Sequence, residues 1–354
     1  MKPMHKDVYI RLREFLDALP VGYPATPTGV ELKILEKLFT PPEAELTLQL
    51  RESPESVSVI ARRTGAEAGA LAERLETMAR KGLIFRVRDD DGAKYQAFQF
   101  MIGIYEFQVN AIDREFSEMM EAYLPFFGKS MVKTPQLRVV PVESAVGFSG
   151  AVAPYNQIRN LVRQQTTIAV TPCICRKEQG FLGNECSKPR ETCLSFGPFA
   201  EYYIENQFGR QIDIEAALGV LDMAEENGLV LSPTNSREIQ AICCCCTCCC
   251  PALKNIKLLK QPANYVRSYY AAKIEPDLCT ACEECLDRCP MDAIRIDADV
   301  SEIIDGRCIG CGLCVSTCAT EAISMQLKPD LAMPPDTLQD TFEQIRQERN
   351  RKKA

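Results

Sequence analysis

Every one of the 19 cysteines in this 354-residue chain lies beyond residue 172, and that segregation decides most of what the chain can fold into. Sulfur at such density either builds disulfides in an oxidising compartment or holds metal in a reducing one. Met1–Asp7 is polar with no long apolar run behind it, so no secretory leader is expected. No stretch approaches the roughly 18 apolar residues of a membrane span. An odd number of cysteines cannot pair completely within one chain. These features point to a reducing cytoplasm and to metal. The single histidine, His5, excludes Rieske centres and His-rich zinc sites, and argues against histidine-ligated haem and Ser–His or Cys–His nucleophilic chemistry. Any chemistry must come from thiolates in the second half.

Ahead of the cysteines the apolar pattern is helical. Residues 1–29 form an amphipathic arm in which Val8, Leu12, Phe15, Leu16 and Leu19 recur at helical spacing until Pro20, Pro24 and Pro27. Residues 30–100 read as four short helices: Leu32–Leu38, Ala44–Leu50, Ser56–Thr64 and one around Leu71, Leu75 and Met78. Strands Leu83–Arg88 and Lys94–Phe98 follow, joined by the turn Asp89-Asp90-Asp91-Gly92. This order resembles the winged-helix module, which implies DNA binding. The charges argue otherwise. On the would-be recognition helix Glu67, Glu73 and Glu76 balance Arg74, Arg80 and Lys81, and in the wing Asp89, Asp90 and Asp91 balance Arg86, Arg88 and Lys94. A DNA reader needs a basic face for phosphates, so docking to protein is the expectation here.

Residues 101–165 read as a helix, Ile104–Tyr123, followed by a linker with one short strand, Leu137–Val140. Gly128-Lys129-Ser130 ends like a phosphate-binding loop, but Tyr123 stands where the first glycine belongs. There is no Gly-x-Gly-x-x-Gly either, which leaves no Rossmann signature. Residues 328–354 read as a polar tail, a frayed helix or disorder.

Within residues 263–327 lies Cys279-x2-Cys282-x2-Cys285-x3-Cys289-Pro290, then Cys308-x2-Cys311-x2-Cys314-x3-Cys318. This resembles the bacterial ferredoxin that carries two [4Fe–4S] clusters. The resemblance implies one cluster on Cys279, Cys282, Cys285 and Cys318, and a second on Cys308, Cys311, Cys314 and Cys289, the fourth cysteine of each motif serving the other cluster. Ala281, Gly310 and Gly312 are small, as tight loops require, and Ile274, Ile294, Ile303, Ile309 and Ile323 supply an apolar jacket. A pair of zinc knuckles is the competing reading, but four cysteines in eleven positions, twice, is too dense for the usual zinc spacing. Ala319 replaces the proline common after the last cysteine. Residues 274–327 hold three arginines against 11 acidic residues, a net of −8, which suits partners with a basic docking face.

Residues 166–262 carry the other 11 cysteines: Cys173, Cys175, Cys186, Cys193 and the run Cys243–Cys250 interrupted by Thr247. Asp213–Asn227 is a helix capped by Asp213 and stopped by Gly228. Neighbouring cysteines on extended backbone face opposite ways, so only alternate or every-third members of the run should share a centre. Cys173, Cys175, Cys186, Cys193, Cys243, Cys246 and Cys249 are the candidate ligands of one or two further iron–sulfur clusters. Zinc, or a thiol–disulfide relay, would use the same residues. The arrangement is similar to a cysteine-rich block that precedes dicluster ferredoxin domains in proteins of anaerobes.

The expected fold is α+β in several domains: winged-helix-like, central α/β and cysteine-rich, and C-terminal ferredoxin-like. The expected function is iron–sulfur electron transfer, as a carrier or an oxidoreductase subunit, rather than stand-alone catalysis. Two rivals are a redox-sensing transcription regulator and a reductive enzyme acting at the central cluster.

Overall fold

The computed structural model describes residues 3–130, 133–146, 157–329 and 332–353. Helix α1 (Pro3–Ala18) buries Val8, Leu12 and Leu16 along one stripe, packed on α2 (Val30–Leu38) and α3 (Pro41–Thr47). The residues of the expected arm therefore join the first core. Pro41 and Pro42 open α3 as well as ending α2, because the first helical positions need no N–H. Thr40 and Glu43 close a reciprocal cap there, with the Thr40 amide 2.9 Å from the carboxylate. Strand β1 (Glu55–Ser56), α4 (Val57–Thr64) and α5 (Ala68–Arg80) precede the hairpin β2 (Phe85–Asp89) and β3 (Gly92–Gln96). The three strands form an antiparallel sheet in the order β1-β3-β2.

The helix expected at Ile104–Tyr123 starts ten residues later, as α6 (Arg114–Ser130). Asp113 ends the preceding turn and accepts a 2.8 Å bond from the Phe116 amide, which fixes the new start. Before it, Ile102 is left-handed (φ 54) and the Gly103 amide donates to the Glu106 carboxylate at 2.7 Å. Ile104, Phe107 and Ile112 are buried all the same, so periodicity identified the core and misplaced the element.

Strand β4 (Arg138–Val139), α7 (Glu143–Val146) and α8 (Ile158–Arg163) occupy the expected linker, of which residues 131–132 and 147–156 lie outside the described residues. Next come β5 (Ile168–Pro172), α9 (Ile174–Phe181), β6 (Glu191–Phe196), α10 (Gly197–Glu205) and β7 (Arg210–Ile212). They are followed by α11 (Ile214–Glu226), β8 (Val230–Pro233), β9 (Ala241–Cys245) and α12 (Pro251–Lys257). The strands make one antiparallel sheet in the order β7-β5-β6-β9-β8. Ile168, Val170, Leu194, Phe196, Ile242 and Cys244 share a second core with Ala217, Leu218, Leu221 and Ala224 of α11. Ile174, Tyr202 and Phe208, by contrast, join the first core.

The C-terminal segment begins with β10 (Arg267–Ser268), which pairs in parallel with β4. Two antiparallel pairs follow: β11 (Tyr270–Ile274) with β14 (Ile323–Leu327), and the hairpin β12 (Ile294–Asp297) with β13 (Val300–Ile303). Helix α13 (Glu284–Arg288) lies between β11 and β12. Helix α14 (Leu338–Lys353) ends the described chain, where a frayed or disordered tail was expected. Phe342 and Ile345 are buried, and Arg349 donates to the carbonyls of Asp17 (2.9 Å) and Leu19 (2.8 Å) and to the Asp17 carboxylate (2.8 Å). Glu348 accepts from Thr134, and Thr341 donates to the Asn235 carbonyl, so one helix ties three distant segments together. Sequence polarity missed this because its partners are backbone carbonyls and polar side chains far away in the sequence.

Replacing Arg349 with Ala should destabilise the chain by about 2–3 kcal/mol, since bonds to a charged group are the stronger class. It should also make the 328–337 segment a protease-sensitive site. Thermal unfolding and limited proteolysis would check this, and unchanged behaviour in both would show that α14 is not a clasp.

Candidate metal centres

The C-terminal cysteines converge on two small cavities. One is lined by Cys279, Cys282, Cys285 and Cys318, together with Ser301 and Ile323. The other is lined by Cys289, Cys308, Cys311 and Cys314, with Ile294, Ile303 and Ile309 around them. Each motif thus supplies three cysteines to one cavity and its fourth to the other. The loops adopt left-handed backbone at Ala281 (φ 51), Gly310 (φ 73) and Gly312 (φ 74). A Cβ on Gly310 would stand 2.2 Å from the Tyr270 carbonyl oxygen, so only glycine permits this approach. Backbone amides point at the sulfurs: Ala272 to Cys308 at 3.3 Å, Ala293 to Cys289 at 3.2 Å and Ser301 to Cys279 at 3.4 Å. Bonds from Ser301 and Ala281 hold the Cys279 thiol below its usual range, whereas burial pushes Cys311 up to about 12.

Two of the module's three arginines face inward. Arg288 donates to the carbonyls of Glu225 and Glu226, the last residues of α11. Arg307 does the same at the last residue of α12, Lys257 (3.2 Å), and just beyond it at Leu259 (2.9 Å). Both donate to carbonyls at a helix end and lock the module to the helices of the central domain. Arg295 pairs with Glu302 across β12 and β13 at 3.1 Å, which leaves the module's outer charge strongly acidic.

The central cysteines separate into two groups and one outlier. The pleat of β9 puts Cys243 and Cys245 on one face and Cys244 on the other, buried in the apolar core. Cys193 of β6 pairs directly with Cys243. Cys173, at the start of α9, interacts with the thiols of Cys175 and Cys193; Cys243 interacts with those of Cys193 and Cys245; and Cys245 interacts with that of Cys250. Six thiols therefore form a series, three of them (Cys193, Cys243 and Cys245) on one sheet face and three (Cys173, Cys175 and Cys250) at the helices α9 and α12. Hydrogen bonds from their neighbours hold Cys173 and Cys243 well below the usual thiol range, and push the donors Cys175, Cys193 and Cys245 up. The second group lies past the end of β9: Cys186, Cys246, Cys248 and Cys249, whose sulfurs are all within 4.8 Å of one another. Of the seven expected ligands, Cys173, Cys175, Cys193 and Cys243 fall in the first group and Cys186, Cys246 and Cys249 in the second. Sequence reasoning passed over Cys245, Cys248 and Cys250; alternation from Cys243 along β9 was the signal that could have found Cys245.

Residues 271–319 match the family described as 4Fe-4S dicluster domain. A 48-residue stretch is 38% identical to a component of the ion-translocating oxidoreductase complex of Methanosarcina acetivorans, covering 14% of this chain and 18% of that protein. No solved structure matches. The C-terminal module is a 4Fe–4S dicluster domain, and the likeness supports an iron–sulfur electron-transfer role. Among the described residues no helix is long and apolar enough to cross a membrane.

The residues around the six-thiol series fit a sulfur-rich inorganic group. Thr171 Oγ1, Ser195 Oγ and Arg176 Nε are buried without a hydrogen-bond partner, and Thr171 stands opposite Cys193 while Ser195 follows it on the same face. Such donors need an acceptor, and inorganic sulfide would provide one. Tyr203 of α10 and Tyr105 cover this side from the first core, the latter donating to the buried Glu178 carboxylate.

Burial raises the Glu178 carboxyl to about 7, with the Glu121 charge adding to it and Tyr105, Lys254 and Gln179 opposing. A raised carboxyl favours the fold while protonated, so its contribution is present below the ordinary 4.5 and lost as pH rises through about 7. Glu178→Gln should therefore stabilise the chain at pH 8 by up to about 3 kcal/mol, with the gain shrinking toward pH 6. Denaturant unfolding across that range checks the sign; a constant offset would remove Glu178 as its source.

Proposed function

We propose that this chain is a soluble cytoplasmic iron–sulfur electron-transfer protein, working as a carrier or as a subunit of an anaerobic oxidoreductase. The observation that carries the reading is the crossed lining of the two C-terminal cavities, three cysteines from one motif and one from the other. It supports one [4Fe–4S] cluster on Cys279, Cys282, Cys285 and Cys318 and a second on Cys308, Cys311, Cys314 and Cys289. Each such cluster, when bound, supplies one-electron transfer. The chain's own part is to aim amides at the sulfurs, exclude water with isoleucines and present an acidic exterior to a basic redox partner. The series Cys175–Cys173–Cys193–Cys243–Cys245–Cys250 is proposed to hold a further iron–sulfur group, which would act as relay or store.

The N-terminal unit, winged-helix-like in its order of elements, is proposed to dock protein rather than nucleic acid. Several of its basic side chains are already engaged. Arg86 is 2% exposed and pairs with Glu76 (2.7 Å) and with Glu205 of α10, Arg88 pairs with Glu205 (2.9 Å), and Lys81 with Glu43 (2.6 Å). Those pairs spend the charges that phosphates would require.

Iron and acid-labile sulfide on anaerobically purified protein test the reading. The two cubanes account for about 8 irons, and a four-iron group on the series would bring the total to about 12. Cys282→Ser or Cys311→Ser should each lose up to about four irons, and the double replacement of Cys173 and Cys175 by Ser should return the count to about 8 with the ferredoxin signal intact. A fully loaded chain with only about 8 irons would delete the central group, and one without labile sulfide would end the electron-transfer proposal altogether.

A further inference from the structure

The second thiol group differs from every other cysteine set in how tightly its sulfurs converge. Cys186 Sγ lies 3.5 Å from Cys248 Sγ and 4.0 Å from Cys246 Sγ, and Cys249 Sγ lies 3.7 Å from Cys248 Sγ. Among the described residues this is the one set of three or more possible ligands with all ligand atoms within 4.8 Å of one another. The spacing has a direct meaning. Four sulfurs placed tetrahedrally about one ion at about 2.3 Å stand about 3.8 Å apart. In a cubane each thiolate binds a different iron, so the sulfurs must be wider apart, as they are around the two ferredoxin cavities.

The backbone here is built for one ion. Cys246 ends the extended run, the Cys250 amide bonds back to the Cys246 carbonyl at 3.0 Å, and Pro251 starts α12. The chain curls through Cys246–Cys249 in a single turn, and Cys186 closes the set from the loop between α9 and β6. A second observation points to negative charge at this place. Arg176 is 5% exposed, yet among the described residues it makes no ion pair with a carboxylate. Its hydrogen bonds go to neutral acceptors: the Pro189 carbonyl (2.9 Å), the Thr192 hydroxyl and the Cys244 carbonyl (2.9 Å). Its Nε has no partner. A buried guanidinium requires an anion, and the nearby candidates are sulfur, Cys246 on one side and Cys173 and Cys193 on the other. Four thiolates around a divalent ion carry a net −2, which Arg176 partly offsets.

We infer that Cys186, Cys246, Cys248 and Cys249 form a closed tetrathiolate site for a single divalent ion, zinc or ferrous iron, separate from the six-thiol series and from the ferredoxin clusters. With four protein ligands it has no open position, so its role is structural. It pins the corner where β9 turns into α12, and thereby fixes Cys245 and Cys250, the last two members of the series. The inference stands independently of the electron-transfer reading.

Metal and sulfide analysis of the full anaerobic chain, unmodified and carrying Cys186→Ser or Cys248→Ser, tests the site. Each variant should lose one equivalent of zinc or iron and no labile sulfide, with the ferredoxin signal retained. Which metal disappears identifies the ion. Loss of several irons with matching sulfide would make the site a cluster, and no loss of any metal would remove the site. Because a variant can fail to fold, the unmodified chain should also be produced in cobalt-supplemented medium. Tetrahedral sulfur-ligated cobalt is the expected result, and its absence, with zinc absent from tetrasulfur coordination in X-ray absorption and no iron in excess of labile sulfide, would overturn the inference.

Discussion

The alternation of side chains along β5, β6 and β9 is the constraint on which the rest depends. One face of the sheet must be apolar, because α11 lies on it with Ala217, Leu218, Leu221 and Ala224. A period of two then sends Thr171, Cys193, Ser195, Cys243 and Cys245 to the opposite face, whatever their chemistry. Sulfur is concentrated there by the same pleat that builds the core. Cys244, between two members of the series, is buried among aliphatic residues and behaves as a small hydrophobe.

The modules are joined both by shared apolar cores and by cations directed at helix ends: Met291, Ala293, Ile309 and Leu313 of the ferredoxin segment lie in one buried cluster with the central sheet. Arg288 and Arg307 reach across to carbonyls at or just beyond the ends of α11 and α12, where backbone acceptors are open to a cation. Gly312 permits the matching close approach, since a Cβ on it would stand 2.6 Å from the Cβ of Ala145. The Val142 amide donates to the Cys311 carbonyl at 3.0 Å, tying the segment around α7 to a ferredoxin loop. The wing is joined to α10 in the same manner, through Arg86, Arg88 and Glu205, with Tyr202 donating to the carbonyls of Ala79 and Ile84.

What could be read from the sequence was local. The ferredoxin cysteines declare themselves because their ligand loops are short and their spacing is set by the loop itself. Helices such as α2, α4 and α11 carry stripes and caps within a dozen residues, and Asp213 caps α11 as expected, at 2.8 Å from the Ala216 amide. What could not be read depends on distance along the chain. Cys186 meets Cys246 and Cys248 some sixty residues away. The run 243–250 divides where β9 ends, and no residue in it marks that point, since cysteine occupies nearly every position. The helix expected from Ile104 failed for a related reason: a tight turn can bury the same residues that a helix would. The α14 contacts join Arg349 to Asp17, 332 positions apart, beyond the reach of any periodicity.

That last span has a consequence for how the molecule comes into being on the ribosome. Helix α14 is translated after the whole cysteine-rich half, yet its partners include Asp17, Glu52, Thr134 and Asn235. Until α14 emerges, those four surfaces stay unbridged, although every cysteine of the chain has already been made. Closure therefore comes late, after the whole cysteine-rich half has been synthesised. A chain shortened before Leu338 would remain open at the stage where the complete protein shuts.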